Sequence, residues 1–158
     1  METIQAIKES LFSPSKKITI TMHTNPDGDA LGTSLGLAAF LKKLGHEVNV
    51  IVSNNYPDFL EWLPGISSVI VYDNANQELA LKLIAEADII FCIDFGMLSR
   101  IHDLGPAVKS AKALKIVIDH HLDSEDFADL TFCNSKAAAA AELVYDLIEA
   151  LGATKYID

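Results

Sequence analysis

Apolar residues recur along this chain in two alternating rhythms. Ile4, Ile7, Leu11 and Phe12 repeat at helical spacing over residues 3–12, and Pro14 ends that helix. Residues 17–22 then read as a strand, followed by a helix over 29–44 that Gly45 stops. A strand over 48–52 leads to a short helical turn at 56–63, centred on Trp62 and flanked by Pro57 and Pro64. A short strand at 69–72, a helix at 78–87 and a wholly apolar strand at 89–93 come next. The chain continues with a helix at 104–113, strands at 114–118 and 130–133, and an alanine-rich helix at 136–151. Strands alternating with helices predict a mostly parallel sheet covered on both faces, a three-layer α/β domain. The continuous apolar run at 89–93 predicts a central strand.

Composition narrows the picture. The chain has 158 residues, half of them hydrophobic, which fits one domain with a substantial core. No internal repeat and no Pro/Gly/Ser-rich linker divides it. Charge interrupts each apolar run well short of the ~20 residues of a membrane span, and no export signal opens the chain. Cys92 and Cys133 are too few for a disulfide framework and are expected to be buried thiols. A cytoplasmic protein is the plain expectation. The net charge of −10 and the scattered Lys and Arg disfavour binding along duplex DNA or a long strand. A small anionic ligand bridged by metal stays open, because a bound cation can dominate the local charge.

The candidate chemistry sits where strands end, and the carboxyl ends of strands are where open α/β sheets bind ligands. The segment His23-Thr24-Asn25-Pro26-Asp27-Gly28-Asp29 follows the first strand. Asn-Pro-Asp-Gly is by itself a turn signal, and Asp29 would suit a helix N-terminus. With His23 the segment also aims two carboxylates and an imidazole at one place. That donor mix suits Mn²⁺, Fe²⁺, Co²⁺ or Zn²⁺ better than Ca²⁺. Asp94 ends the apolar strand; it either caps the next turn or bridges two metals. Arg100 either reaches a substrate phosphate or is solvated. Asp119-His120-His121 is the hardest to explain by packing: one histidine is expected on a metal and the other on a phosphate, with Asp119 orienting a ring. His46 is expected in a loop and His102 in solvent. Trp62 is expected to pack with Phe59, Leu60 and Leu63 rather than stack on a base.

The pair of motifs His23-Thr-Asn-Pro-Asp27-Gly-Asp29-Ala-Leu-Gly and Asp119-His-His121 closely resembles the DHH phosphoesterase superfamily, nearest the branch of nanoRNase/pAp phosphatases. The resemblance runs through almost the whole chain in motif order. It implies a Rossmann-like N-terminal catalytic domain over 1–158 and a two-metal, Mn²⁺-dependent phosphoesterase. It also implies that His23 and Asp27 hold one ion, Asp29 and His120 the second, that Asp94 bridges them, and that His121 touches phosphate. The family's later Asp-Thr-Gly segment and its smaller glycine-rich domain are absent, so the chain is expected to be an N-terminal piece, nearly inactive alone. The Ser/Thr stretch before the family's Glu is alanine here, at 137–141 before Glu142.

The expected activity is hydrolysis of short oligoribonucleotides and 3′-phosphoadenosine 5′-phosphate, with no membrane partner and a homodimer allowed. Cyclic-dinucleotide hydrolysis and pyrophosphatase activity are alternatives within the superfamily. From other classes, a catalytically silent metal or nucleotide module competes. A dinucleotide-binding domain does so poorly, because no Gly-x-Gly-x-x-Gly follows Met22.

Overall fold

A computed structural model describes residues 2–122 and 124–157. In chain order the elements are α1 (Glu2–Leu11), β1 (Lys17–Met22), α2 (Gly28–Lys43), β2 (Glu47–Val52), β3 (Ile70–Val71), α3 (Gln77–Glu86), β4 (Ile89–Ile93), α4 (Leu104–Ser110), β5 (Leu114–Asp119), β6 (Leu130–Cys133) and α5 (Ala140–Ala150). Every strand pairing is parallel, in the order β3-β2-β1-β4-β5-β6. The chain builds outward from β1 in one direction, then returns to β4 and builds in the other. The carboxyl ends of β1 and β4 therefore flank the crevice where strand order reverses.

Period-two alternation assigns each strand residue to one of two apolar layers. Ile89, Phe91 and Ile93 of β4 join the layer containing α1, α2 and α5, whereas Ile90 and Cys92 join the layer containing α3 and α4. Burying each such side chain contributes roughly 1.5–3 kcal/mol. β1 presents Ile18, Ile20 and Met22 to the first layer. Thr19 instead donates its hydroxyl to the Leu83 carbonyl at 3.3 Å, which ties α3 to the sheet. Gly105 is required by close approach, since a Cβ there would lie 2.9 Å from the Leu98 carbonyl oxygen.

Several expectations need correction. The final helix starts at Ala140, not 136. Three extra alanines in a helix gain about 0.3 kcal/mol each at best. Against that, the Asp29 carboxylate accepts from Ala140 N at 3.0 Å and Ala141 N at 3.2 Å, and hydrogen bonds to a charged group are worth about 1.5–3 kcal/mol apiece. Glu142 also reaches back to Ala138 N at 3.0 Å. The tertiary cap outweighs alanine propensity. The helix at 104–113 stops at Ser110, because Ala111 turns to extended backbone and its carbonyl accepts from Lys115 Nζ at 2.8 Å.

Trp62 does not pack. It is 74% exposed and Phe59 is 73% exposed, while Leu60 is buried and Leu63 half-buried against the core. The turn at Asp58–Leu60 is a 3₁₀ turn, so residues three apart share a side and the aliphatic pair takes the inward one. Cys133 is exposed at the end of the edge strand β6, whereas Cys92 is buried and its thiol is pushed up to about 12 by burial. His46 does lie in the α2–β2 loop, but it is buried and fully engaged with backbone. His102 is exposed as expected. No helix among the described residues is long and apolar enough to cross a membrane.

A candidate metal centre at the carboxyl end of the sheet

β1 delivers His23 just past Met22, where the ring is buried in the crevice. Its Nδ1 lies 2.8 Å from the Thr24 carbonyl. A carbonyl only accepts, so that contact places the proton on Nδ1. Nε2 then faces the site, 3.2 Å from Asp94 Oδ2 and 3.8 Å from Asp27 Oδ1. A neutral ring would set its Nε2 lone pair against two carboxylates. Only a second proton or a cation makes that contact attractive. The hydrogen bond to Asp94 raises the His23 pKa above the usual imidazole value against the opposing effect of burial. The Thr24 carbonyl and the charges of Asp94 and Asp27 raise it further.

Asp94 follows β4 with φ at +64°, a left-handed conformation that costs a non-glycine residue roughly 1–3 kcal/mol. The conformation is held by Asp94 N donating to the Ile118 carbonyl at 2.9 Å and by the burial of Phe95, which stacks on Phe127. It leaves the carboxylate, only 2% exposed, between the ends of β1 and β5. His120 Nε2 comes within 2.9 Å of Asp94 Oδ1, yet among the described residues no well-aligned hydrogen bond reaches that buried oxygen. A buried carboxylate oxygen without a proper donor is costly, and a cation would satisfy it.

β5 supplies the other half. Asp119 is fully buried; its Oδ1 accepts from His120 N at 2.9 Å and from His121 Nδ1 at 2.5 Å. His121 is thereby fixed with Nδ1 occupied. His121 Nδ1 also lies 3.9 Å from Asp94 Oδ1. Asp29 Oδ2 lies 3.8 Å from His120 Nε2. Two triads have donor atoms mutually within 4.8 Å: His23 with Asp27 and Asp94, and Asp94 with His120 and His121. Asp94 belongs to both.

All five expected ligands therefore meet at one place, and Asp119 and His121 adjoin them. The turn reading of Asp27 and Asp29 holds. Asp27 Oδ1 caps α2 through Ala30 N at 2.8 Å, and Asp29 accepts from Thr33 Oγ1 as well as from the start of α5. A carboxylate has about four lone-pair sites, so each retains capacity for a cation. The residues present fit divalent-metal binding through mixed nitrogen and oxygen donors.

Arg100 is exposed on the rim. It lines a pocket of about 420 Å³ with Gly96, Met97, His120, His121 and Leu122. Its carbonyl accepts from Thr24 N, which joins the β4 loop to the β1 loop. Glu125 accepts from Leu98 N and fastens the loop after β5 to the same wall. The sequence reading missed Ser53 and Asn54. Thr24 Oγ1 pairs with Ser53 Oγ at 2.8 Å, Asn25 N donates to Asn54 Oδ1 at 2.7 Å, and Asn54 Nδ2 donates to Asn25 Oδ1 at 2.6 Å. The polar run Ser53-Asn54-Asn55 after an apolar strand was the available signal.

Comparison with known proteins identifies relatives of this chain. Over 151 residues the chain is 33% identical to the bifunctional oligoribonuclease and PAP phosphatase NrnA of Thermus thermophilus, an alignment that takes in 96% of this chain and 42% of that protein. The crystal structure of an exopolyphosphatase-related protein from Bacteroides fragilis superposes with a TM-score of 0.95 at 43% identity, covering 99% of this chain and 46% of that one. The manganese-bound exonuclease RecJ superposes with a TM-score of 0.57 at 20% identity over 99% of this chain and 38% of its own, which shows a shared fold. The chain thus spans less than half the length of these relatives. The DHH family N-terminal domain matches residues 17–158, and the chain belongs to the DHH family.

Proposed function

We propose that this chain is the metal-binding half of a phosphoesterase acting on short oligoribonucleotides and 3′-phosphoadenosine 5′-phosphate, with two Mn²⁺ ions as cofactors. The observation that carries the reading is Asp94, buried and shared between two ligand triads. His23 and Asp27 would hold one ion and Asp29 and His120 the other, with Asp94 between them. When bound, the ions supply an activated water and charge neutralisation at the phosphoryl oxygens. The protein's own groups do the positioning. Asp119 holds the His121 ring through Nδ1, which leaves Nε2 available to the substrate phosphate. From there His121 can donate to a phosphate oxygen and pass the proton toward the departing oxygen. Arg100, on the rim of the same pocket, offers a planar cation to the phosphate. The name of the Thermus relative supports this substrate class, and the acidic chain suits a small substrate gripped through metal better than a long strand.

The test is turnover of pApA and 3′-phosphoadenosine 5′-phosphate with Mn²⁺, beside a cyclic dinucleotide and pyrophosphate. Slow, Mn²⁺-dependent release of AMP from the first two is expected, lost in Asp94→Asn. Cleavage of only the cyclic dinucleotide or pyrophosphate, or turnover unaffected by Asp94→Asn, would overturn the reading.

A further inference from the structure

The two largest exposed aromatic surfaces of the described chain belong to Phe59 and Trp62, on the segment that follows β2. That segment is fastened to the metal centre. Ser53 and Asn54 hydrogen-bond Thr24 and Asn25 of the β1 loop, and Leu60 Cδ2 lies 4.0 Å from where a Cβ on Gly28 would stand. Gly28 sits between Asp27 and Asp29. Farther on, Gly65 approaches Leu35, so the segment runs down α2 away from the crevice. Leu60 is therefore at the site end of α2, with Phe59 next to it in the chain and Trp62 two residues on.

The pattern within the segment matters as much as its position. Leu60 and Leu63 turn inward, and each is accompanied by an aromatic that stays in solvent. Leaving a phenyl and an indole exposed forgoes stabilisation that a packed arrangement would provide. The site they adjoin is proposed to bind nucleotides, while the chain carries a net charge of −10 and no basic stripe to grip successive phosphates. Single-stranded nucleic acid is otherwise held by stacking of bases on aromatic rings, which tolerates any sequence because every base has a π-face.

The geometry points to Phe59 and Trp62 as a base-stacking platform that receives the nucleobase of a short oligoribonucleotide whose phosphate lies at the metal centre. This deepens the proposed function and rests on it. The platform binds base, not phosphate, and gives affinity without base identity.

Trp62 is the sole tryptophan, so its emission reads the platform directly. Mn²⁺-saturated protein would be titrated with AMP, with pApA and with ribose 5-phosphate, which carries the phosphate but no base. AMP and pApA should quench Trp62, and ribose 5-phosphate should displace AMP without quenching. By calorimetry, Trp62→Ala and Phe59→Ala should weaken AMP or pApA by roughly 5- to 100-fold and leave ribose 5-phosphate and Mn²⁺ binding unchanged. Trp62→Phe should restore most of the loss. If AMP binds with Mn²⁺ while emission and both alanine variants are unmoved, the platform is wrong and the phosphate site survives. If Trp62→Ala lowers the sedimenting mass without changing AMP affinity, the aromatics serve contact between copies, and the platform is again wrong. If neither AMP nor ribose 5-phosphate binds the metal-loaded protein, the proposed function falls and takes the platform with it.

Discussion

Two buried histidines at opposite ends of the sheet show how a site differs from a core. At the amino end His46, 6% exposed, accepts from Lys16 N through Nδ1 at 3.1 Å and meets the Leu11 carbonyl through Nε2 at 2.8 Å. Both ring nitrogens are spent on backbone, one as acceptor and one as donor, which is the neutral tautomer with nothing left over. The ring pins the end of α1 to the start of β1. At the carboxyl end His23, 8% exposed, spends Nδ1 on the Thr24 carbonyl and turns Nε2 toward Asp94 and Asp27. Burial is the same; the unspent nitrogen is the difference. A polar group that the fold buries without completing its bonding marks where a ligand is expected.

That contrast can be broken most severely at Asp94. Asp94→Asn keeps the shape and removes the charge shared by both triads. Even partners that only orient ligands cost ~10–100-fold in metal affinity, so loss of a shared ligand should cost at least about 100-fold. Isothermal titration with Mn²⁺ checks this. Because Asp94 holds a left-handed backbone, Asp94→Gly should lose metal to the same degree while relieving strain and keeping or raising the melting temperature of the apo protein. Retention of two Mn²⁺ ions by Asp94→Asn would remove Asp94 from the centre.

The next effect is a crossed pair. His46→Ala leaves Lys16 N and the Leu11 carbonyl without partners and opens a cavity, which should destabilise the protein by about 2–4 kcal/mol in urea unfolding. Mn²⁺ affinity should be unchanged, since His46 is at the far end of the strands. His23→Ala should weaken Mn²⁺, and at pH 8 it should cost less apo stability than His46→Ala, since only the Thr24 carbonyl loses a partner. Equal loss of metal in both variants would mean the two ends are not independent.

A smaller effect follows from protonation. His23 has a raised pKa in the folded protein, chiefly through the hydrogen bond to Asp94. Its contribution to apo stability is fully present below the usual imidazole value near ~6.5 and is lost as pH rises through the higher folded value. Mn²⁺ held by His23 would compete for the same Nε2, so metal affinity should run the other way and fall up to ~10-fold per unit as pH drops below that folded value. The Mn²⁺-induced rise in melting temperature should therefore be large at pH 8 and small at pH 5.5. A rise of equal size at both would assign binding to carboxylates alone.

How much of this was legible beforehand depended on whether the cause was local. The strands at 89–93 and 114–118 announce themselves because a continuous apolar run has few other homes, and His23, Asp94 and Asp119 were visible as chemistry attached to strand ends. Convergence followed from parallel topology and a switch point, which alternating elements already imply. What stayed hidden has tertiary causes. Nothing near His46 reveals that its ring meets Leu11 and Lys16 across the fold. Nothing in Phe59-Leu60-Glu61-Trp62-Leu63 says which members face α2, and a 3₁₀ turn chose the leucines. The left-handed backbone of Asp94 depends on the bond to Ile118, and the start of α5 depends on a carboxylate more than a hundred residues away.

That last dependence gives the smallest and sharpest test, because Asp29 stands on both sides of the contrast. It serves the fold by capping α5, as His46 serves it by pinning α1, and it also faces His120 across the site. Ala139 occupies the N-cap position of α5 with extended backbone, φ −157° and ψ 156°, and has no side chain to cap with. Ser at such a position accepts from the N–H groups of the first turn and is worth roughly 0.5–1 kcal/mol over Ala. Ala139→Ser should therefore raise stability by about that amount. If Asp29 is held back from metal by its capping bonds, the serine hydroxyl takes over part of that load and Mn²⁺ affinity rises by a factor of about two. Were stability to rise with metal affinity unmoved, the cap and the ligand role of Asp29 would be independent, with enough lone pairs for both. A fall in metal affinity would show instead that the bonds to α5 aim the carboxylate at the site.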